Sequence, residues 1–502
     1  MKESLNFIYN EQKVLSTLSG VAALLSWDQL TYMPLRGATE RSEQSAYISR
    51  ISHDKIISDK FWNHVQILIK PGNFKSLSDN DKTVVARLEK DLEKARKVPS
   101  NFVEKMAKTT SLAYQAWEDA RGKNDYKVFE PHLEKIVELE KEYCGYINLP
   151  GSRYNSVVDD YEEGMTVNTL RTEFEYLKIN LIKLIDKIKS SNLYEKQINL
   201  DVKFNLPIQQ RISKLILEKM NLPMDQARID VSTHPFTTSL GNDDIRITTN
   251  YDRPGPLSSF YSTIHEAGHA LYELGMPRDK YLNTVISDSA SVGLNESQSR
   301  FWENMIARSK HFWLYFYPVF KKLSSNSFTN ISFDDWYRFV NQVKPSLIRV
   351  DADELTYCLH VILRFEIEVA LLQDEIMVSE LPMIWNEKMD EMLGVIPMGD
   401  KDGVLQDMHW SGGNFGYFPT YAIGTIYSAQ LFNQLTCEKP EIYNDIENGE
   451  FGNILNWLRE NVHRYGRLLT ADEIIKKTCG EGLNSKVYID YLKEKYLVLY
   501  CV

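Results

Sequence analysis

The chain has 502 residues, of which 43% are hydrophobic and 25% charged, a globular balance that excludes global disorder and a collagen-like repeat. Its 58 Lys and Arg stand against 69 Asp and Glu, a formal net charge of −11 without any long basic block, so no nucleic-acid partner is expected. Five scattered cysteines (Cys144, Cys358, Cys437, Cys479 and Cys501) form no C-x-x-C pair. They argue against a disulfide framework or a thiolate metal site, and for reduced thiols in the cytoplasm.

From the N-terminus, Lys2 and Glu3 open a mixed polar sequence. The apolar run Val21–Leu25 is too short to span a membrane, and no small-residue cleavage site follows it. No secretory leader or membrane segment is expected. Helical period dominates from there on. Val84, Leu88 and Leu92 share a face; so do Leu133, Ile136, Val137, Tyr143, Cys144 and Ile147, and again Leu170, Phe174, Leu177, Leu181, Leu184 and Ile188. These stripes are too short for a coiled coil, so packed core helices are expected. Breaks fall at Pro71-Gly72-Asn73, Leu149-Pro150-Gly151, Pro254-Gly255-Pro256 and the Gly-rich run from Ser411 to Gly416. None is a long linker and no repeat period is visible. The expectation is a mainly α fold, with residues 1–502 forming one large helical domain with lobes.

One stretch has period two. His234–Leu240 and Asp244–Thr249 alternate Thr and Ile with other residues around a turn-forming Gly241-Asn242, which predicts a β-hairpin. A small sheet at this point would offer a strand edge to an extended peptide.

The chemistry follows at once, in His265-Glu266-Ala267-Gly268-His269. Two histidines four apart on a helix present both imidazoles to one ion, and the glutamate beside them is placed to hold a water. A helix over about 258–275 is predicted, capped by Ser258 or Ser259 and closed by Gly275 and Pro277. Chance would supply such a match roughly 0.015 times in a chain of this composition. A catalytic zinc needs a third protein ligand and an open position. The extended H-E-x-x-H-x-x-G-x-x-H pattern fails, because Tyr272 and Gly275 stand where Gly and His are required. Glu296 is therefore the expected third ligand, on a second helix packed against the first. Glu273 is too far along the first helix to share the ion. Glu303 is either a partner of a ligand or a solvated helix acid, and Asp288 is a candidate to orient a histidine. With two neutral imidazoles and one carboxylate, the ion keeps enough charge to acidify water and polarise a carbonyl. Glu266 then serves as general base. A later block, Gln406-Asp407-Met408-His409-Trp410 followed by Tyr417 and Tyr421 in a Gly-rich surrounding, could donate hydrogen bonds to an oxyanion.

Taken together, these features resemble the M32 family of metallocarboxypeptidases. Trp27-Asp28-Gln29 with Met33-Pro34 resembles the family's N-terminal signature. His234-Pro235-Phe236 matches its HPF motif, and Asp244–Thr248 its DxRxT strand. His265–His269 is its HExxH, and Glu296-Ser297-Gln298 the segment of the third ligand. Ile348–Asp353 matches IRxxAD, and Gly403–Trp410 matches GxxQDxHW. The resemblance implies a saddle-like helical fold with a deep groove, a homodimer, zinc or cobalt (or another divalent ion) as cofactor, and removal of single residues from peptide C-termini. One position departs: the family usually has His directly before its glutamate ligand, and here Asn295 stands there.

An exopeptidase must read the terminal carboxylate of its substrate, and the planar fork of Arg suits that task. Arg349, in the IRxxAD match, is the first candidate, with an internal ion pair to Asp351 or Asp353 as its alternative. Arg246 is the second, unless it holds Asp243 or Asp244. His234 and His409 are candidates to stabilise the oxyanion or touch substrate, together with Tyr417 and Tyr421. His360 lies in an apolar helical run and is expected to be buried structure. Two other readings stay open: an endopeptidase or oligopeptidase with the same metal chemistry, and a non-catalytic peptide-binding protein with a relic metal site.

Overall fold

The computed structural model describes residues 1–198, 204–252, 255, 257–323 and 331–502. Helix takes up 69% of the chain and strand 3%, so the mainly α reading with a small sheet holds. The apolar stripes lie where their period puts them. Helix Asp79–Lys97 buries Val84, Val85, Leu88 and Leu92, and begins at Ser78, whose side chain accepts from the backbone N–H of Asp81. Helix Val167–Lys189 buries Leu170, Phe174, Leu177, Leu181, Leu184, Ile185 and Ile188 behind a Thr166 cap. Helix Glu130–Ile147 stops at Asn148, which takes the left-handed conformation before Pro150. The expected break at Pro71 separates helix Asp59–Ile69, which ends at a non-helical Lys70, from a short helix, Pro71–Lys75, because proline fits the first helical turn, where its missing N–H is not needed. Pro254 and Pro256, at another expected break, lie outside the described residues. Among the described residues no helix is long and apolar enough to cross a membrane.

The hairpin is present, with one strand more than expected. β1 (Ala227–Val231), β2 (Thr237–Gly241) and β3 (Asp244–Thr249) form a sheet in the order β1-β3-β2. β2 and β3 pair antiparallel with a register shift between Ser239 and Gly241, while β1 runs parallel to β3. His234-Pro235-Phe236 precedes β2 as loop. Its end is tied in by Phe236, whose N–H donates to Thr248 Oγ1 at 2.9 Å and whose carbonyl accepts from Thr248 N at 2.9 Å.

Helix Ser258–Leu274 packs on the sheet, and helix Val292–Arg300 packs on that helix. The second helix is buried at Gly293, Leu294 and Glu296 through Ser299, and small residues are what let it fit. A Cβ on Gly268 would stand 2.7 Å from Gln298 O and from Ser299 Cα. On its other side, a Cβ on Gly424 of helix Phe418–Glu438 would stand 2.8 Å from Glu296 Cβ and from Gly293 O. The Glu296 helix is thus clamped between two neighbours whose glycines meet its backbone.

A second apolar cluster joins helices Lys2–Thr31, Asp59–Ile69 and Asp79–Lys97 through Ile8, Phe61, Val65, Leu68, Val84, Val85, Leu88 and Leu92. Tyr281 and Ile286 enter it from the loop after the His265 helix. Ion pairs add to this attachment: Arg87 and Lys90 with Glu163, and Arg467 with Asp91.

Gly268→Ala is expected to lower the melting temperature, since overpacking a filled site costs about 1–3 kcal/mol. Gly122→Ala, where nothing lies within 4 Å of the added carbon, is the matched control. Equal melting temperatures for the two variants would show that the two helices are free to separate.

Candidate metal centre

Helix Ser258–Leu274 aims His265 and His269 the same way, one turn apart. The clamp on the facing helix then fixes Glu296 opposite them. Glu296 Oε2 lies 3.6 Å from His265 Nε2 and 3.5 Å from His269 Nε2, and the ligand atoms of all three residues lie within 4.8 Å of one another. A tetrahedral ion with bonds of about 2.0–2.2 Å holds its ligand atoms about 3.4 Å apart, so the donor set fits one small divalent cation.

Each histidine is held from behind. His265 Nδ1 lies 2.8 Å from Glu303 Oε2. His269 Nδ1 is in hydrogen-bond contact with Asn295 Oδ1. Both rings therefore turn Nε2 toward Glu296. Glu303 sits in a π-helical turn, Phe301–Ile306, that continues the Glu296 helix; the wider turn swings it under His265. Arg300 and Arg308 flank it, at 3.5 and 3.4 Å. Burial favours the neutral acid, but the hydrogen bond to His265 and the charges of Arg300, His265 and Arg308 outweigh it and bring Glu303 down to about 2. It is a buried partner of His265 and not a solvated acid.

Glu296 divides its carboxylate. Oε1 accepts from Arg300 Nε at 2.7 Å, and Oε2 faces the histidines and accepts from Ser299 Oγ at 3.1 Å. Burial works against its charge, but Arg300 and the two histidines hold it well below the usual carboxylate range. Burial would likewise lower His269; the hydrogen bond to Glu296 and the charges of Glu266 and Glu296 raise it to about 9. Glu266 is 6% exposed. Thr237 of β2 lies with its hydroxyl 2.6 Å from Glu266 Oε2 and 2.9 Å from the Glu266 carbonyl, so the sheet fixes one oxygen of this carboxylate.

These groups open on a cavity of about 950 Å³. Pro235, Phe236, Thr237, Thr238 and Ser239 line one wall, and Asn295, Glu273 and Asp288 another. Tyr417 and Tyr421 line it as well, and Arg87, Lys90 and Lys94 come from the N-terminal helices. Asp288 does not reach a histidine; it accepts from Ser289 N at 2.7 Å. Asn295 and Glu303 do the orienting that Asp288 was a candidate for. Glu273, as expected, does not share the ion site. It accepts from Asn295 Nδ2 at 3.0 Å, and burial with the charge of Asp288 raises it to about 7.

The remaining candidates lie at different depths. His234 is exposed in its loop, and none of His234, Arg246, Arg349 and His409 is among the cavity-lining residues. Arg246 is paired with Asp244, Nε to Oδ1 and Nη2 to Oδ2 both at 3.0 Å, and stacks on Trp27 with its guanidinium carbon 4.2 Å from the ring centre. His409 is half-covered, with Nε2 3.3 Å from the Tyr421 hydroxyl. Burial, with Arg349 and Arg364 nearby, lowers it to about 4, so its imidazole is neutral. Arg349 is 5% exposed and pairs with neither Asp351 nor Asp353. It donates from Nη2 to Asp407 Oδ1 at 2.8 Å and from Nη1 to the Tyr357 hydroxyl at 3.2 Å, and it lies 4.8 Å from the centre of the Tyr421 ring. Arg364 takes the other oxygen of Asp407, at 2.8 Å. Two guanidinium groups share one carboxylate, so this buried cluster carries an excess positive charge behind Tyr421. His360 is buried as expected, and burial followed by Arg364 and Arg349 lowers it to about 3.

Glu303→Gln is expected to weaken divalent-metal affinity by about 10–100-fold, the usual cost of losing a partner behind a metal-bound imidazole. Competition with a chelator measures this, and an unchanged affinity would detach Glu303 from the histidine.

Known carboxypeptidases are similar to the chain over nearly its whole length. The family model described as carboxypeptidase Taq (M32) metallopeptidase matches residues 8–496. The chain is 39% identical over 489 residues to carboxypeptidase 1 of Bacillus subtilis, covering 97% of each chain. It is 37% identical over 497 residues to thermostable carboxypeptidase 1 of Pyrococcus furiosus, covering 99% of each. The crystal structure of the M32 carboxypeptidase from Deinococcus radiodurans superposes with a TM-score of 0.95 at 33% identity, over 100% of both chains. With motif order, helical architecture and a histidine–glutamate cluster all in agreement along its length, the chain belongs to the M32 metallocarboxypeptidases, a family of hydrolases.

Proposed function

We propose that the protein is a zinc-dependent carboxypeptidase of the cytoplasm, a single-domain chain working as a homodimer, that removes one residue at a time from the free C-terminus of peptides. The observation that carries this reading is the convergence of His265, His269 and Glu296 on a cavity with an excess guanidinium charge behind its wall. A bound divalent ion there would polarise the scissile carbonyl and lower the pKa of a water to about 7. Glu266 takes the proton of the attacking water on Oε1, since Thr237 occupies Oε2, and passes it to the leaving nitrogen. The Tyr417 and Tyr421 hydroxyls donate to the developing oxyanion. Burial raises the pKa of both, so both keep the proton that a donor needs. Neutral His409 supports Tyr421 from behind. Pro235 to Ser239 supply the wall along which the peptide lies, with β2 as the edge strand of the sheet.

Arg349 is the residue we assign to the terminal carboxylate. Asp407 cancels one of the two charges of Arg349 and Arg364, and the other is screened little in a buried setting. Arg246, which holds Asp244, and His234, exposed in its loop, lie outside the cavity lining and carry no step of this reading.

Two peptides, identical except that one ends in a free acid and the other in an amide, test the reading. Stepwise loss of C-terminal residues from the acid alone is expected by mass spectrometry. Internal cleavage of both would make the protein an endopeptidase and remove Arg349 from its role; cleavage of neither by zinc-loaded protein would favour a peptide-binding protein. Glu266→Gln is expected to keep zinc and lose about 10²–10⁴-fold in kcat. Wild-type turnover in that variant would overturn the general-base assignment.

A further inference from the structure

The two histidines are supported by unlike devices. His265 rests on a carboxylate, Glu303, whose charge Arg300 and Arg308 balance. His269 rests on a neutral amide, Asn295. An amide can present either its oxygen or its nitrogen, so it needs something to fix its direction. Glu273 supplies this. It stands one helical turn beyond His269 on the same face, and its Oε1 accepts from Asn295 Nδ2 at 3.0 Å. An ionised carboxylate only accepts, so it holds the NH2 end of the amide toward itself. Oδ1 is then left facing His269, where it can accept only from a protonated Nδ1.

We propose that Asn295, aligned by Glu273, is a positioning residue that fixes His269 in the tautomer with the proton on Nδ1 and the lone pair of Nε2 facing Glu296. The inference rests on the metal-site reading above. The same helix crossing delivers both halves of the device. Asn295 and Glu296 are adjacent on one helix, and His269 and Glu273 are one turn apart on the other. Pressing the helices together at Gly268 therefore seats the ligand pair and the supporting pair at once. Asn295 lacks a titratable proton, so this support stays an acceptor toward Nδ1 for as long as Glu273 is ionised.

The test uses zinc-loaded full-length protein labelled with 15N-histidine, at pH 8.5. In the wild type, His269 is expected to show a protonated Nδ1, shifted downfield by its hydrogen bond, and a metal-bound Nε2. The reverse assignment would overturn the proposal without any variant. Asn295→Leu, of similar size but with no acceptor, is expected to lose that downfield proton and to bind zinc about 10–100-fold more weakly in chelator competition. Asn295→Asp together with Glu273→Gln, which keeps an acceptor for His269 and gives position 273 a donor for the new carboxylate, is expected to recover most of the affinity. Zinc binding as weak in this double variant as in Asn295→Leu would mean that packing and not the acceptor matters, and would overturn the proposal. Glu296→Gln separates the two levels. If it binds zinc as tightly as wild type, the metal-site reading fails and this inference with it; if it loses zinc while Asn295→Leu does not, this inference alone fails.

Discussion

Contact between the backbones of helices Ser258–Leu274 and Val292–Arg300 sets the spacing of Glu296 and Asn295 from the two histidines. Side chains between two helices ordinarily keep their axes about 8–10 Å apart. Gly268 removes one such side chain where Gln298 and Ser299 pass, and Gly424 removes another behind Glu296. The carboxylate of Glu296 can then reach imidazoles on a different helix while its own backbone stays helical. A ligand cluster built this way does not depend on a loop holding its shape. Its precision comes from hard-sphere contact, which is steeper with distance than any hydrogen bond.

Charge follows from that packing. Once Glu296 and Glu303 are buried beside histidines, their ionisation has to be supported from the protein side, and Arg300 meets both while Arg308 meets the second. Arg300 also stacks over Tyr357, 4.2 Å from the ring centre, and Tyr357 in turn accepts from Arg349. A continuous set of buried polar groups, charged except at Tyr357, thus runs from the histidines to the Arg349–Asp407–Arg364 cluster. Buried pairs of this kind contribute little net stability, because desolvation offsets attraction. What they supply is fixed orientation in a low-dielectric setting, which is where electrostatic catalysis gains its strength.

Much of this was readable in the sequence, for local reasons. The period of the apolar residues gave the helices, because it reports which face of a segment is buried. The four-residue spacing of His265 and His269, and the failure of the extended zinc pattern at Tyr272 and Gly275, pointed to a distant carboxylate. Partners set by tertiary contact were not readable. For Arg349 the alternative to a substrate role was a pair close by, at Asp351 or Asp353, yet the carboxylate it meets is Asp407, 58 residues on. Asp353 instead accepts from the backbone N–H groups of Lys344, Leu355 and Thr356. β1 escaped notice because a parallel strand pairs across a crossover and leaves no hairpin turn as a signal; only the alternation of Ala227, Ile229 and Val231 with Arg228 and Asp230 hinted at it. Asn295 stood out as a departure from a pattern, but its link to Glu273 needed two helices in place.

The π-helical turn at Phe301–Ile306 ties catalysis to chain length as well as to composition. Its wider ring closes through the N–H of Ala307 on the carbonyl of Trp302, at 2.9 Å. Removing Phe301 or Trp302 there would let the segment relax to regular α-helix and put Glu303 one position nearer to Glu296 in sequence, at a different angle on the helix. Glu303 would then leave His265, although every residue type at the site was still present. Insertions and deletions in this short segment are therefore a more severe class of change than most substitutions. A sequence that keeps all the signature residues but differs in length between Glu296 and Arg308 would be a poor guide to an intact centre.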